Sequence, residues 1–149
     1  MVNKYNLNTN QILIASDHAG YLLKEIIKKY LVGKKFKVLD LGTHSKNISV
    51  DYPVYAKKLS KKINTKNCGI LVCGSGIGMS MASNRFKNVR SALVSSSKES
   101  KLSRQHNNAN VICLGARLIK KSTALKTVMS FLTTNFEGGR HLKRVKLLN

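Results

Sequence analysis

The chain has 149 residues, 42% of them hydrophobic, with one proline and no tryptophan. That length and apolar share suit a single domain with its own core, residues 1–149, and no apolar run approaches the ~18 residues that a membrane-spanning helix needs. With 27 Lys and Arg against 6 acidic residues the formal net charge is +21; the lysines are scattered and no aromatics are interleaved with them, so incidental polyanion binding is expected but a specific nucleic-acid partner is not.

Residues 1–11, MVNKYNLNTNQ, are polar and contain no apolar signal core, so they read as a short tail and the protein as cytoplasmic. Residues 12–16, ILIAS, form the first strand-like run. Tyr21–Val32 follows, with Leu22, Leu23, Ile26, Ile27, Tyr30 and Leu31 at helical spacing. Residues 36–41, FKVLDL, make a second strand closed by Gly42, and residues 53–63 a second helix with Pro53 at its start. Strands over 69–73, 90–94 and 110–114 alternate with helices over 77–86, 98–104 and 121–132. The tail NFEGGRHLKRVKLLN ends in a basic amphipathic turn. This alternation, with short and wholly apolar strands, predicts an α/β fold with a parallel sheet covered on both faces. Ligands of such sheets bind beyond the carboxyl ends of the strands, so the residues that follow each strand carry the functional expectation.

The third strand ends in GILVCGSGIGMS, residues 69–80. A thiol at a strand end, with a helix starting just after it, sits in the positive field of that helix and suits a general base or nucleophile. Gly74, Gly76 and Gly78 bring backbone N–H groups towards a ligand, where they can hold a phosphate or a developing oxyanion, and Ser75 adds a hydroxyl. A dinucleotide fingerprint requires glycine where Met79 stands, and the Gly-Lys-Ser/Thr ending of a P-loop is missing. Cys68 and Cys113 read as small buried hydrophobes. Three cysteines without CxxC spacing, and four histidines without HxxxH or HExxH pairing, argue against a disulfide framework and against a bound metal.

Asp17 and His18 follow the first strand and face the same sheet edge as Cys73. His106 lies in the polar run SRQHNNAN before the fifth strand. Arg140 and Arg144, four apart, share a face if the tail is helical, and such a pair can fork a phosphate. A thiol base, an oxyanion cradle, an imidazole and a cationic grip together suit proton transfer beside the carbonyl of a small phosphorylated sugar.

The chain resembles the ribose/galactose isomerase family, and within it the type B ribose-5-phosphate isomerases, over about residues 12–147. The resemblance rests on SDHAG (16–20), LGT (41–43), DYP (51–53), GILVCGSGIGMSMASNRF (69–86), LSRQHNNANVICLGAR (102–117) and EGGRHLKRV (137–145), in order. It implies a Rossmann-like three-layer α/β/α sandwich with a five-stranded parallel sheet, and interconversion of D-ribose 5-phosphate and D-ribulose 5-phosphate through a cis-enediolate. In that family Cys73 matches the base of the cysteine subgroup. Ser75 and the amides of Gly74, Gly76, Ile77 and Gly78 match the groups that stabilise the enediolate. His106 matches the ring-opening group, assisted by Asp17. Tyr52 matches a wall of the sugar pocket and Asn107 a hydroxyl ligand. Arg117, Arg140 and Arg144, with His18, match the phosphate grip. His141 falls within the tail motif without an assigned role. The resemblance further implies no cofactor and no metal, and a homodimer or tetramer with active sites shared between subunits. A relative acting on allose 6-phosphate or galactose 6-phosphate is the alternative, with pocket depth set near residues 44–51 and 95–101; a non-catalytic polyanion-binding protein is a more distant one.

Overall fold

The computed structural model describes residues 11–148. The polar tail therefore lies outside the described residues except for Gln11, which is the first residue of a strand rather than the last of the tail. In chain order the elements are β1 (Gln11–Ser16), α1 (Tyr21–Gly33), β2 (Val38–Asp40), α2 (Tyr52–Ser60), β3 (Asn67–Cys73), α3 (Ile77–Ser83), β4 (Ser91–Leu93), α4 (Ser97–Asn107), β5 (Val111–Gly115), α5 (Lys121–Thr133) and α6 (Gly139–Lys146). All strand pairs are parallel, in the order β2-β1-β3-β5-β4.

Strand side chains alternate between two cores, as a pleat with period two requires. Ile12, Ile14, Ile70, Val72, Ile112 and Leu114 pack with α1 and α5, through Leu23, Ile27, Leu31, Val128 and Phe131. Leu13, Ala15, Leu71, Cys73, Val111 and Cys113 face α2 and α3, through Ala56, Leu59 and Met79. With both faces covered, the three central strands can be apolar throughout, and that is how they read in the sequence. The expected α/β sandwich with five parallel strands is the observed one.

The differences lie at the margins. β2 and β4 have only three residues each, because an edge strand pairs on one side only. α3 ends at Ser83, short of the expected residue 86, and a run of turns leads on to β4. α4 is longer than expected. It starts where the Ser96 hydroxyl accepts the N–H of Glu99, and it runs on to Asn107 before Asn108 closes it in the left-handed conformation, φ 47°. His106 and Asn107, read as part of a polar connection, are thus in the last helical turn. The tail is likewise a helix, α6, rather than a single turn. Among the described residues no helix is long and apolar enough to cross a membrane.

Candidate active site

β1 and β3 are neighbours although α1, β2 and α2 lie between them in sequence, so the loops after both strands open at one carboxyl edge. Gly20 makes this juxtaposition tight. A Cβ there would lie 2.3 Å from the Val72 carbonyl oxygen, so the start of α1 can rest on the end of β3 only without a side chain. Asp17 and His18 are thereby set beside Cys73. Together with Tyr52, Gly74, Ser75, Gly78, Arg117 and Leu118 they line a cleft of about 320 Å³, within the range of small-molecule sites.

Within the cleft each group is held. The Gly76 N–H donates to the Cys73 sulfur at 3.1 Å, and the thiol is almost wholly buried, 4% exposed. The Gly20 N–H donates to Asp17 Oδ1 at 2.9 Å. His18 Nδ1 sits against the Val50 backbone, 3.1 Å from its N–H and 3.3 Å from its carbonyl oxygen. The Ser75 hydroxyl accepts the Ile77 N–H at 3.3 Å, so its own proton is available to a ligand. The Arg117 guanidinium lies against Gly74, and the Tyr52 ring covers Gly78. Two of the amides expected in the oxyanion cradle, those of Gly76 and Ile77, are therefore engaged with the thiol and with Ser75. Val50 gave no signal in the sequence, because its contact with His18 spans 32 residues of chain.

The other cysteines are packing residues, as expected. Cys68 and Cys113 are fully buried, and burial pushes the Cys113 thiol up to about 12 despite its contact with the Ser91 hydroxyl at 3.1 Å.

The sequence profile of the family described as Ribose/Galactose Isomerase matches residues 12–148. This chain belongs to the ribose/galactose isomerase family. It is 47% identical over 137 residues to the probable ribose-5-phosphate isomerase B of Mycoplasma genitalium, covering 90% of each chain. It superposes on the ribose 5-phosphate isomerase B structure from Anaplasma phagocytophilum with TM-score 0.92 at 44% identity, covering 96% of this chain and 99% of that one. It also matches the ribose-5-phosphate isomerase B structure from Mycoplasma genitalium with bound ribulose-5-phosphate, with TM-score 0.85 at 46% identity and 93% of each chain covered.

Not all of the residues matched to the site of the ribose/galactose isomerase family line this cleft. His106, Asn107, Arg140 and Arg144 do not line it. α4 runs back to the amino edge of the sheet, where the Asn110 carbonyl accepts the Gly69 N–H at 2.9 Å. Cys73 lies four residues further along β3, about 13 Å away at the usual strand rise. α6 is fastened to the same end of α4. The Glu137 N–H donates to the Gln105 carbonyl at 3.1 Å, and the His141 ring stacks on His106. The four residues therefore travel together, at the opposite end of the sheet from the thiol. A second cleft, of about 550 Å³, opens at that amino edge and is lined by Asn107, Arg85, Arg90 and Leu148 among others.

His106, Glu137 and His141 each offer one ligand atom within 4.8 Å of the others, the one such cluster among the described residues. Their arrangement does not suit a metal. The two rings are nearly parallel, 9° apart with centroids at 4.4 Å, so their in-plane lone pairs lie in separate planes and cannot converge on one ion.

Proposed function

We propose that this protein is an aldose–ketose isomerase interconverting D-ribose 5-phosphate and D-ribulose 5-phosphate, a reaction of the non-oxidative pentose phosphate pathway, and that the chain acts as one cytoplasmic isomerase domain. The observation that carries the reading is the Cys73 sulfur, gripped by the Gly76 N–H at the wall of a cleft that also holds Asp17, His18, Ser75 and Arg117. The Mycoplasma genitalium structure, with its bound ribulose-5-phosphate, supports the substrate class.

In this reading the Cys73 thiolate takes the C2 proton of the open-chain aldose and returns it to C1. The intermediate is a cis-enediolate, whose oxygens receive hydrogen bonds from Ser75 and the backbone of the 74–78 loop. His18 and Arg117 meet the substrate from one chain. His106, Asn107, Arg140 and Arg144 come from a second copy, because the fold places them beyond reach of Cys73 in their own chain. His106 opens the furanose ring, Asn107 binds a hydroxyl, and the two arginines fork the phosphate. The working unit is then at least a homodimer.

The test is ketose formation from D-ribose 5-phosphate by purified protein, with Cys73→Ala alongside and EDTA present. Turnover that persists in EDTA and vanishes in the variant supports the proposal. A folded wild-type protein that turns over allose 6-phosphate or galactose 6-phosphate instead would keep the chemistry and change the substrate. Inactivity on all three would refute the reading.

A further inference from the structure

The contact between His106 and His141 has no part in the chemistry above. His106 is half-buried at the end of α4 and His141 is 7% exposed in α6. Their rings lie 9° from parallel with centroids 4.4 Å apart, an offset stack. The stack is built by the chain leading into α6. Gly138 and Gly139 take φ values of +66° and +52°, and a Cβ on either would meet nothing within 4 Å. Their glycine character therefore serves backbone conformation rather than space. This turn, with the Glu137–Gln105 backbone hydrogen bond, aims the first turn of α6 back over α4.

We propose that His141 is a positioning residue for ring opening: its ring, stacked flat on His106, holds that imidazole in the one orientation from which it exchanges protons with the bound sugar of a second copy. The inference rests on the reading of His106 as the ring-opening group. In that step His106 takes the proton of the C1 hydroxyl, the bond between C1 and the ring oxygen breaks as the C1 carbonyl forms, and the protonated imidazole passes that proton to the ring oxygen. One imidazole must serve two oxygens attached to the same carbon, so a swing of the ring about its side-chain bonds would spoil both transfers. A flat neighbour at stacking distance blocks that swing without competing for the proton. Burial, and after it the charges of His106 and Arg140, push His141 below the ordinary imidazole range against the opposing pull of Glu137, with Arg144 adding to the downward push.

The experiment separates ring opening from enolisation. D-ribulose 5-phosphate has its O5 blocked by phosphate, so it cannot close a furanose ring and needs no opening. Exchange of its C1 proton with D2O, followed by NMR, reports the Cys73 step alone, whereas turnover of D-ribose 5-phosphate requires both steps. His141→Ala should lower turnover of the aldose about tenfold or more, within the usual reach of acid–base catalysis, and leave the exchange rate within about twofold. His141→Phe, which keeps a flat ring and removes both nitrogens, should restore aldose turnover to within about threefold. An exchange rate that falls as far as turnover, or a phenylalanine variant as slow as the alanine one, would overturn the positioning role. His106→Ala run in parallel isolates the underlying reading: if its exchange rate falls with its turnover, His106 is not a ring-opening group, and the proposal fails for that reason rather than through the stack.

Discussion

The backbone N–H of Gly76 points at the sulfur of Cys73 across 3.1 Å. This contact fixes a thiol that could otherwise rotate, and it presents a positive dipole to the atom that must carry negative charge. It depends on the backbone of Gly76, whose φ is +79°, and on close packing. A Cβ there would lie 2.7 Å from Leu93 Cδ1 and 2.9 Å from the Leu114 carbonyl carbon. Gly76→Ala should therefore cost about 1–3 kcal/mol of stability from the strained backbone alone and lower turnover more than tenfold. Thermal denaturation and steady-state kinetics measure both, and wild-type activity would detach the loop geometry from the chemistry.

The separation of Cys73 from His106 along the sheet leads to a complementation experiment. Cys73→Ala and His106→Ala proteins should each be inactive on D-ribose 5-phosphate. After the two are unfolded together and refolded, half of the dimers carry one intact shared site, which gives about a quarter of wild-type activity. A site contained within one chain would show no recovery.

Arg140 and Arg144 are exposed and make no ion pair among the described residues. Their replacement should leave the melting temperature nearly unchanged. Arg140→Ala with Arg144→Ala should raise KM for the sugar phosphate about tenfold or more, the scale of a lost bidentate contact, and add salt sensitivity to none of the remaining binding. A KM unaffected by the double change would remove α6 from the phosphate grip.

A partly buried charge cluster contributes to the acid stability. Lys24, fully buried, donates to Asp40 Oδ2 at 2.6 Å and to Glu25 at 2.7 Å, and Lys28 reaches the same two carboxylates at 2.7 and 2.8 Å. Burial pushes Asp40 up, but the hydrogen bonds from Lys24, Lys28 and the Gly42 N–H outweigh it and bring its carboxyl from 3.8 down to about 2. Its contribution is therefore complete above pH 4 and is lost as the pH falls towards 2. Glu25 shifts in the same direction and works in the same sense. Asp40→Asn should cost about 2 kcal/mol at neutral pH, since Glu25 still pairs with Lys24, and should flatten the stability curve between pH 4 and pH 2. Denaturant titrations across that range give the test; an unchanged acid limb would place the pH dependence elsewhere.

Local pattern alone located the five strands and the helices α1 to α5, because a pleat repeats every two residues and a helix every 3.6; α6 read only as a basic amphipathic turn. The thiol at the end of β3 and the Asp17-His18 pair after β1 were legible for the same reason: a parallel sheet gathers its strand ends at one edge wherever the strands fall. The insertion of β5 between β3 and β4 could not be read this way, nor could the burial of Lys24 or the Val50 amide on His18, since each depends on pairings between distant segments. The tertiary structure alone also decided that His106 sits one sheet length from Cys73. A helix that returns the chain from one strand's carboxyl end to the next strand's amino end must carry its last turn to the opposite edge. The sequence thus picked out the candidate groups, and the direction of α4 decided that Cys73 and His106 lie at opposite edges of the sheet within one chain.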